Sequence, residues 1–163
     1  MSGALRILGL ADLHDCTEGI RNLKDLKYDL IAFCGDLHNA SSTEGAKPAA
    51  MALARLGPPV LIVPGNMDHR DVVPDLWEKA GFIVLHRSSF RHKEYGFLGM
   101  GGMIARDPRR LGDPNRYYHR DDEPTRRWLV PGPRSSSFIS RPGGLVIFFT
   151  MARDPAPLNC ADS

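Results

Sequence analysis

No apolar run in this sequence approaches the ~20 residues that a membrane-spanning helix needs. Runs such as Leu145 to Phe149 end after a few residues. Met1 to Gly9 lacks the long apolar middle and the cleavage site of a signal peptide, so the expected compartment is the cytoplasm, with no membrane partner. Cysteine is scarce as well: Cys16, Cys34 and Cys160 are odd in number and share no C-x-x-C spacing. That pattern argues against a disulfide framework and against a cysteine-based zinc site. Cys34, inside an apolar run, reads as a small buried hydrophobe.

A field of one sign is also missing. The formal net charge is +2, and the arginines between Arg106 and Arg134 are interleaved with Asp107, Asp113, Asp121, Asp122 and Glu123, so no nucleic-acid partner is indicated. Neither a G-x-G-x-x-G nor a Walker-type loop follows the first apolar run, which ranks an unrelated nucleotide-binding domain last among the alternatives. With 42% apolar and 25% charged residues over a length of 163, the chain is expected to be globular and to form a single domain over residues 1–163.

What the sequence does contain is alternation. Leu5 to Leu10, Tyr28 to Cys34 and Val60 to Val63 are short apolar runs, ending respectively near Asp12, at Gly35-Asp36 and at Pro64-Gly65-Asn66. Between them, Glu18 to Lys27 carries Ile20, Leu23 and Leu26 on one helical face, and Thr43 to Leu56 is rich in alanine despite Pro48. A parallel crossover needs a dozen or more residues and usually a helix, so this βαβαβ start implies an α/β fold with helices flanking the sheet. Asp71 to Ala80 reads as a third helix stopped by Gly81, and Phe82 to Leu85 and Tyr95 to Leu98 as strands continuing the sheet.

From Ile104 onward the pattern weakens into a polar loop, with a helical turn expected only at Pro124 to Leu129. Val130 to Gly144 is too rich in proline, glycine and serine for a regular helix, yet Leu145 to Thr150 returns as a buried strand. Trp77 and Trp128 are expected to anchor helices, Met100 and Met103 to pack, and Tyr117-Tyr118-His119 to form either a substrate-facing loop or a surface turn.

The chemistry gathers at strand ends. Asp12 and His14 are separated by Leu13, so in an extended backbone they point the same way. Asp36 follows Gly35, and Asn66 follows Gly65. In an open parallel sheet, groups at the carboxyl ends of the strands converge on one crevice. Singly, an Asp after a strand is usually a turn residue or a helix cap. As an ordered set, Asp12, His14, Asp36 and Asn66 form a metal-ligating constellation without thiolate, suited to manganese, iron or zinc and less to magnesium.

Asp12-Leu13-His14, Gly35-Asp36 and Gly65-Asn66-Met67-Asp68 resemble the first three blocks of the calcineurin-like metallophosphoesterases. Pro58 to Asp68, Leu85-His86 and Leu98-Gly99-Met100-Gly101-Gly102 resemble particularly the Icc-related branch of that family. The resemblance implies a calcineurin-like phosphoesterase sandwich. It also implies metal-dependent hydrolysis of phosphate mono- or diesters, with a phosphate-ester small molecule as partner. By it, Asp12 and His14 hold the first of two divalent ions, Asp36 bridges both, Asn66 holds the second, and Asp68 supports the Asn66 loop. Such ions, about 3.5–4 Å apart, clamp a phosphoryl group and activate water near neutral pH.

The sequence also departs from that family. Thr150 is followed by Met151 rather than histidine, and no Gly-His-x-His block follows, so residues 130–163 form a poorly matching tail and the fold reads as incomplete at its C-terminus. Read one base earlier after a C, Met151-Ala152 becomes His-Gly, so a displaced reading frame is one hypothesis for this tail, which resequencing the gene tests. The second ion keeps only Asp36 and Asn66 and is expected to bind weakly. Met67 occupies a position where relatives often carry a catalytic histidine, leaving His69 or His38 as substitute proton donors, although a loop histidine is more often simply solvated. A catalytically inactive metal- or phosphate-binding remnant is therefore the alternative function. An incomplete sheet is further expected to aggregate or to oligomerise over its open edge.

Overall fold

The computed structural model describes residues 5–39, 44–93, 95–105 and 107–120, together with the strand backbones of 136–138 and 148–153. Its first sheet is parallel, in the order β1 (Ile7–Leu10), β2 (Leu30–Phe33), β3 (Val60–Ile62), β4 (Ile83–Val84). Every residue of β2 and β3 is buried, whereas no residue of β1 or β4 is. Central strands of a parallel sheet are covered on both faces, which is why β2 and β3 read as continuous apolar runs rather than alternating ones.

The period-2 geometry of a strand sends β2 and β3 side chains to two cores. Ile31, Phe33, Val60 and Ile62 pack with Ala49, Ala50 and Leu53 of α2 (Ala46–Ala54) and with Val73 and Trp77 of α3 (Val73–Lys79). Leu30, Ala32 and Leu61 point the other way, toward Val63, Leu85 and Phe97. Phe97 belongs to β6 (Tyr95–Met100), which lies in a second sheet, antiparallel where its pairings are described, of order β5 (Ser88–His92), β6, β10 (Phe148–Arg153), β9 (Ser136–Phe138). The architecture is therefore helices on a parallel sheet on a second sheet. Gly99 of β6 makes the close approach possible, since a Cβ there would run into Leu85.

Helix starts and stops follow the sequence. Pro48 and Pro74 lie in the first turns of α2 and α3, where a missing N–H breaks no intrahelical bond. Gly81, at φ 81°, ends α3 and donates to Glu78. The helix expected over Glu18 to Lys27 is much shorter, α1 (Glu18–Arg21). Beyond it the chain makes i→i−3 bonds, Leu23 to Ile20 and Leu26 to Leu23, and Leu26 stays 52% exposed. Only Ile20 of the expected apolar stripe reaches full burial, so nothing holds the longer helix.

Two further expectations change. Tyr95 to Leu98 does not continue the sheet of Phe82 to Leu85; it forms a hairpin with β5, and the chain turns at Lys93 with φ 55°. The polar loop after Ile104 is ordered in part. A 3-10 turn spans Pro108–Gly112, and β7 (Met103–Ile104) pairs with β8 (Tyr118–His119), burying Tyr117 and His119. Trp77 and Met100 are buried as expected, and Met103 is half-buried. The turn expected at Pro124 to Leu129, Trp128 within it, and the stretch after Arg153 lie outside the described residues. Among the described residues no helix is long and apolar enough to cross a membrane.

Candidate metal centre

The pairing of β1 with β2 continues past both strands. Asp12 donates its N–H to Gly35 at 3.0 Å, His14 to Asp36 at 3.1 Å and Asp15 to Leu37 at 3.0 Å. The two post-strand loops are thus laced together by backbone. Asp12 (φ 57°), His14 (φ 46°), Asp15 (φ 65°) and Asp36 (φ 56°) all adopt the left-handed conformation, so the extended geometry expected for Asp12-Leu13-His14 is not the one found. Asp and His visit that region more readily than most residues, and left-handed non-glycine backbone concentrates at functional sites. The consequence is convergence: one donor atom each from Asp12, His14 and Asp36 lies within 4.8 Å of the others.

The third loop is pressed against the second. Gly35, at φ 85°, leaves no room for a Cβ because the Gly65 backbone occupies that space at 2.6 Å, and a Cβ on Gly65 would meet the Asp36 carboxylate. Met67, the residue after Asn66, donates its N–H to Asp36 Oδ1 at 2.7 Å, which aims the Asp36 carboxylate.

Asp68 organises both loops. Its Oδ2 accepts from Asp36 N at 2.8 Å and Gly65 N at 2.7 Å, and its Oδ1 accepts from Leu37 N at 3.1 Å and His38 N at 3.4 Å. The side chain is fully buried, so this reach extends well past the Asn66 loop that the sequence motif suggests. His38 is fully buried too, not solvated. Its Nε2 accepts from His69 N at 3.3 Å, and its Nδ1 lies 2.8 Å from Asp68 Oδ1 at an angle too bent for a hydrogen bond. His69 accepts from Asp71 N through Nδ1 at 3.4 Å and begins the turn into α3. Both proton-donor candidates therefore take part in holding the loop.

Electrostatics follow from burial. Asp36 is only 5% exposed, and that burial, with Asp68 and Asp12 nearby, pushes its carboxyl up to about 6 against the opposing bond from Met67. Asp12 is exposed and His14 half-buried, so the cluster opens to solvent on one side. Cys34 is half-buried, its thiol pushed up to about 12 chiefly by burial and secondarily by Asp12; Cys16 is exposed and Cys160 lies outside the described residues.

The donor set fits a divalent cation. Two carboxylates and an imidazole supply three ligands, the number typical of catalytic sites. His14 Nδ1 is buried without a hydrogen-bond partner, so the ring is not tied up elsewhere.

His86 of the Leu85-His86 step and the Tyr117-Tyr118-His119 stretch come together in a further group. His86 and His119 stack with centroids 5.7 Å apart, Tyr117 meets His86 edge-on at 5.1 Å, and Arg70 lies over Tyr117 at 5.5 Å. Burial first, then His119, Arg87 and Arg70, pull the His86 imidazole down to about 4. Arg116 donates to the Met67 carbonyl at 3.1 Å, tying this layer to the Asn66 loop. The pairing of β7 with β8 and the bonds of Gly101 to His86 (3.3 Å) and His119 (2.8 Å) bring these residues together from distant parts of the sequence.

Comparison with known proteins agrees with this picture. Residues 5–154 match the calcineurin-like phosphoesterase family. A solved structure shares the fold at a TM-score of 0.50 and 14% identity, over 61% of this chain and 54% of its own length. No curated protein matches. With most of its length matched, the chain belongs to the calcineurin-like phosphoesterases, a family of dimetal centres and metal-dependent phosphoester hydrolysis.

Proposed function

We propose that this chain, as a member of the Icc-related branch, hydrolyses phosphate mono- or diesters of small molecules in the cytoplasm. The observation that supports this most is the convergence of Asp12, His14 and Asp36 within 4.8 Å at the carboxyl ends of parallel strands. Asp12, His14 and Asp36 would hold a first cation, and Asp36 with Asn66 a second, weaker one. Manganese, iron or zinc suits these donors better than magnesium. When bound, such cations supply Lewis acidity toward a phosphoryl oxygen and a nucleophile near neutral pH.

The residues of the chain divide the remaining work. Met67 N–H orients the Asp36 carboxylate, and Asp68 holds the Gly35 and Gly65 loops at a fixed separation. The exposed side of Asp12 leaves the centre open to a substrate phosphate.

A second reading, a binding remnant without turnover, is favoured by the burial of His38 and by Met67 next to Asn66. Hydrolysis of an aryl phosphomonoester and an aryl phosphodiester with added manganese separates the two readings. Turnover that disappears in Asp36→Ala supports the enzyme; saturable manganese binding with no turnover supports the remnant.

A further inference from the structure

A second concavity, of about 540 Å3, lies between α1 and α2 and shares no lining residue with the metal cluster. Two sequence stripes build it. On the first, Ile20, Arg21 and Lys24 follow Thr17 at helical spacing; on the second, Lys47, Met51 and Arg55 recur every four residues along α2 and beyond its end. Pro48 and Met51, the latter 41% exposed, give the groove an apolar side, with Ile20 buried in the core beneath it.

The charge in this groove is one-sided. Arg21, Lys24, Lys47 and Arg55 line it, and no described carboxylate does, although the whole chain carries 21 basic and 19 acidic residues. Among the described residues none of the four has an acidic partner. α2 also has no acidic residue in its first turn, where Lys47 sits against the positive end of the helix dipole. Four exposed cations beside the apolar side chains of Met51 and Pro48 are an arrangement that an anion with an apolar body would complement. The volume lies within the ~300–1,000 Å3 range of small-molecule pockets.

We infer that the α1/α2 groove is a binding site for a small organic phosphate, with the phosphate among Arg21, Lys24, Lys47 and Arg55 and the apolar body against Met51 and Pro48. This site is independent of hydrolysis at the metal cluster.

The test is calorimetric titration of the full chain in EDTA with octyl phosphate, ADP and inorganic pyrophosphate. At least one of the two organic phosphates is expected to bind saturably, one per chain, about tenfold tighter than pyrophosphate, and which one binds tells an alkyl body from a nucleoside. Arg21→Glu with Lys24→Glu is expected to weaken that binding about tenfold without moving the melting temperature. Lys47→Glu with Arg55→Glu repeats the test from the opposite wall should the first pair not fold. Absence of saturable binding by both organic phosphates, equal binding by pyrophosphate, or affinity unchanged in either folded pair would overturn the assignment.

Discussion

Asp12, His14 and Asp36 on one side and Asn66 on the other stand at the ends of adjacent parallel strands, yet they are held by different means. The first three are placed by backbone: the ladder of β1 with β2 runs on through Asp12, His14 and Asp15, and four left-handed residues turn the side chains together. Asn66 is held through its neighbours, by Met67 N–H on Asp36, Arg116 on the Met67 carbonyl, and Gly65 N–H on Asp68. One half is thus fixed by local sheet continuation, and the other depends on residues far away in sequence. The two meet at Asp36, whose carboxylate accepts from Met67 N–H and whose own N–H is held by Asp68.

The largest effect is expected where the two halves share a support. Asp68→Ala removes a buried acceptor from four backbone N–H groups, and orphaning a buried charged network costs about 3–5 kcal/mol. Chemical denaturation should show that loss or no folded protein; a loss under about 1 kcal/mol would mean that packing alone holds the loops.

Gly65→Ala sharpens the same contrast with less damage. The added Cβ meets the Asp36 carboxylate and backbone, so overpacking of about 1–3 kcal/mol is expected, with manganese affinity falling alongside. Unchanged affinity in a folded variant would show that the second and third loops are not tightly coupled.

Proton competition probes the Asp36 side alone. Because burial raises its carboxyl to about 6, protonated Asp36 favours the ion-free folded state fully below the ordinary carboxylate range of ~4, and that contribution is gone above about 6. A cation competes with the same proton, so manganese affinity should weaken about tenfold per pH unit below that point. Affinity independent of pH between 4 and 6 would remove Asp36 from the ligand set.

The smallest effect belongs to His86, stacked on His119. His86 titrates near its ordinary ~6.5 in the unfolded chain but at about 4 when folded, so its neutral form supports the fold fully above 6.5 and the support is lost as pH falls through 4. His86→Gln keeps an acceptor for Gly101 N–H and should flatten the decline of melting temperature between those limits.

Much of the first half was legible in the sequence. Apolar runs ending in Asp12, Gly35-Asp36 and Gly65-Asn66 located three strands and a shared edge, because a buried parallel strand needs an unbroken apolar run. The left-handed turns were not legible, since Leu13 between Asp12 and His14 suits an extended strand equally well. β5 escaped because Ser88 to His92 has few apolar residues and its turn at Lys93 lacks the usual glycine or asparagine. His38 looked solvated because what buries it, Asp68 and the His69 amide, lies some thirty residues away.

The central claim, that Asp12, His14 and Asp36 already make one complete cation position, is tested most directly by counting manganese ions bound per chain by calorimetry at neutral pH. The natural chain should bind one manganese ion tightly, and Asp36→Asn should abolish that binding while keeping the melting temperature of the ion-free protein. No saturable binding to the natural chain, or the same tight binding in the folded variant, would contradict it.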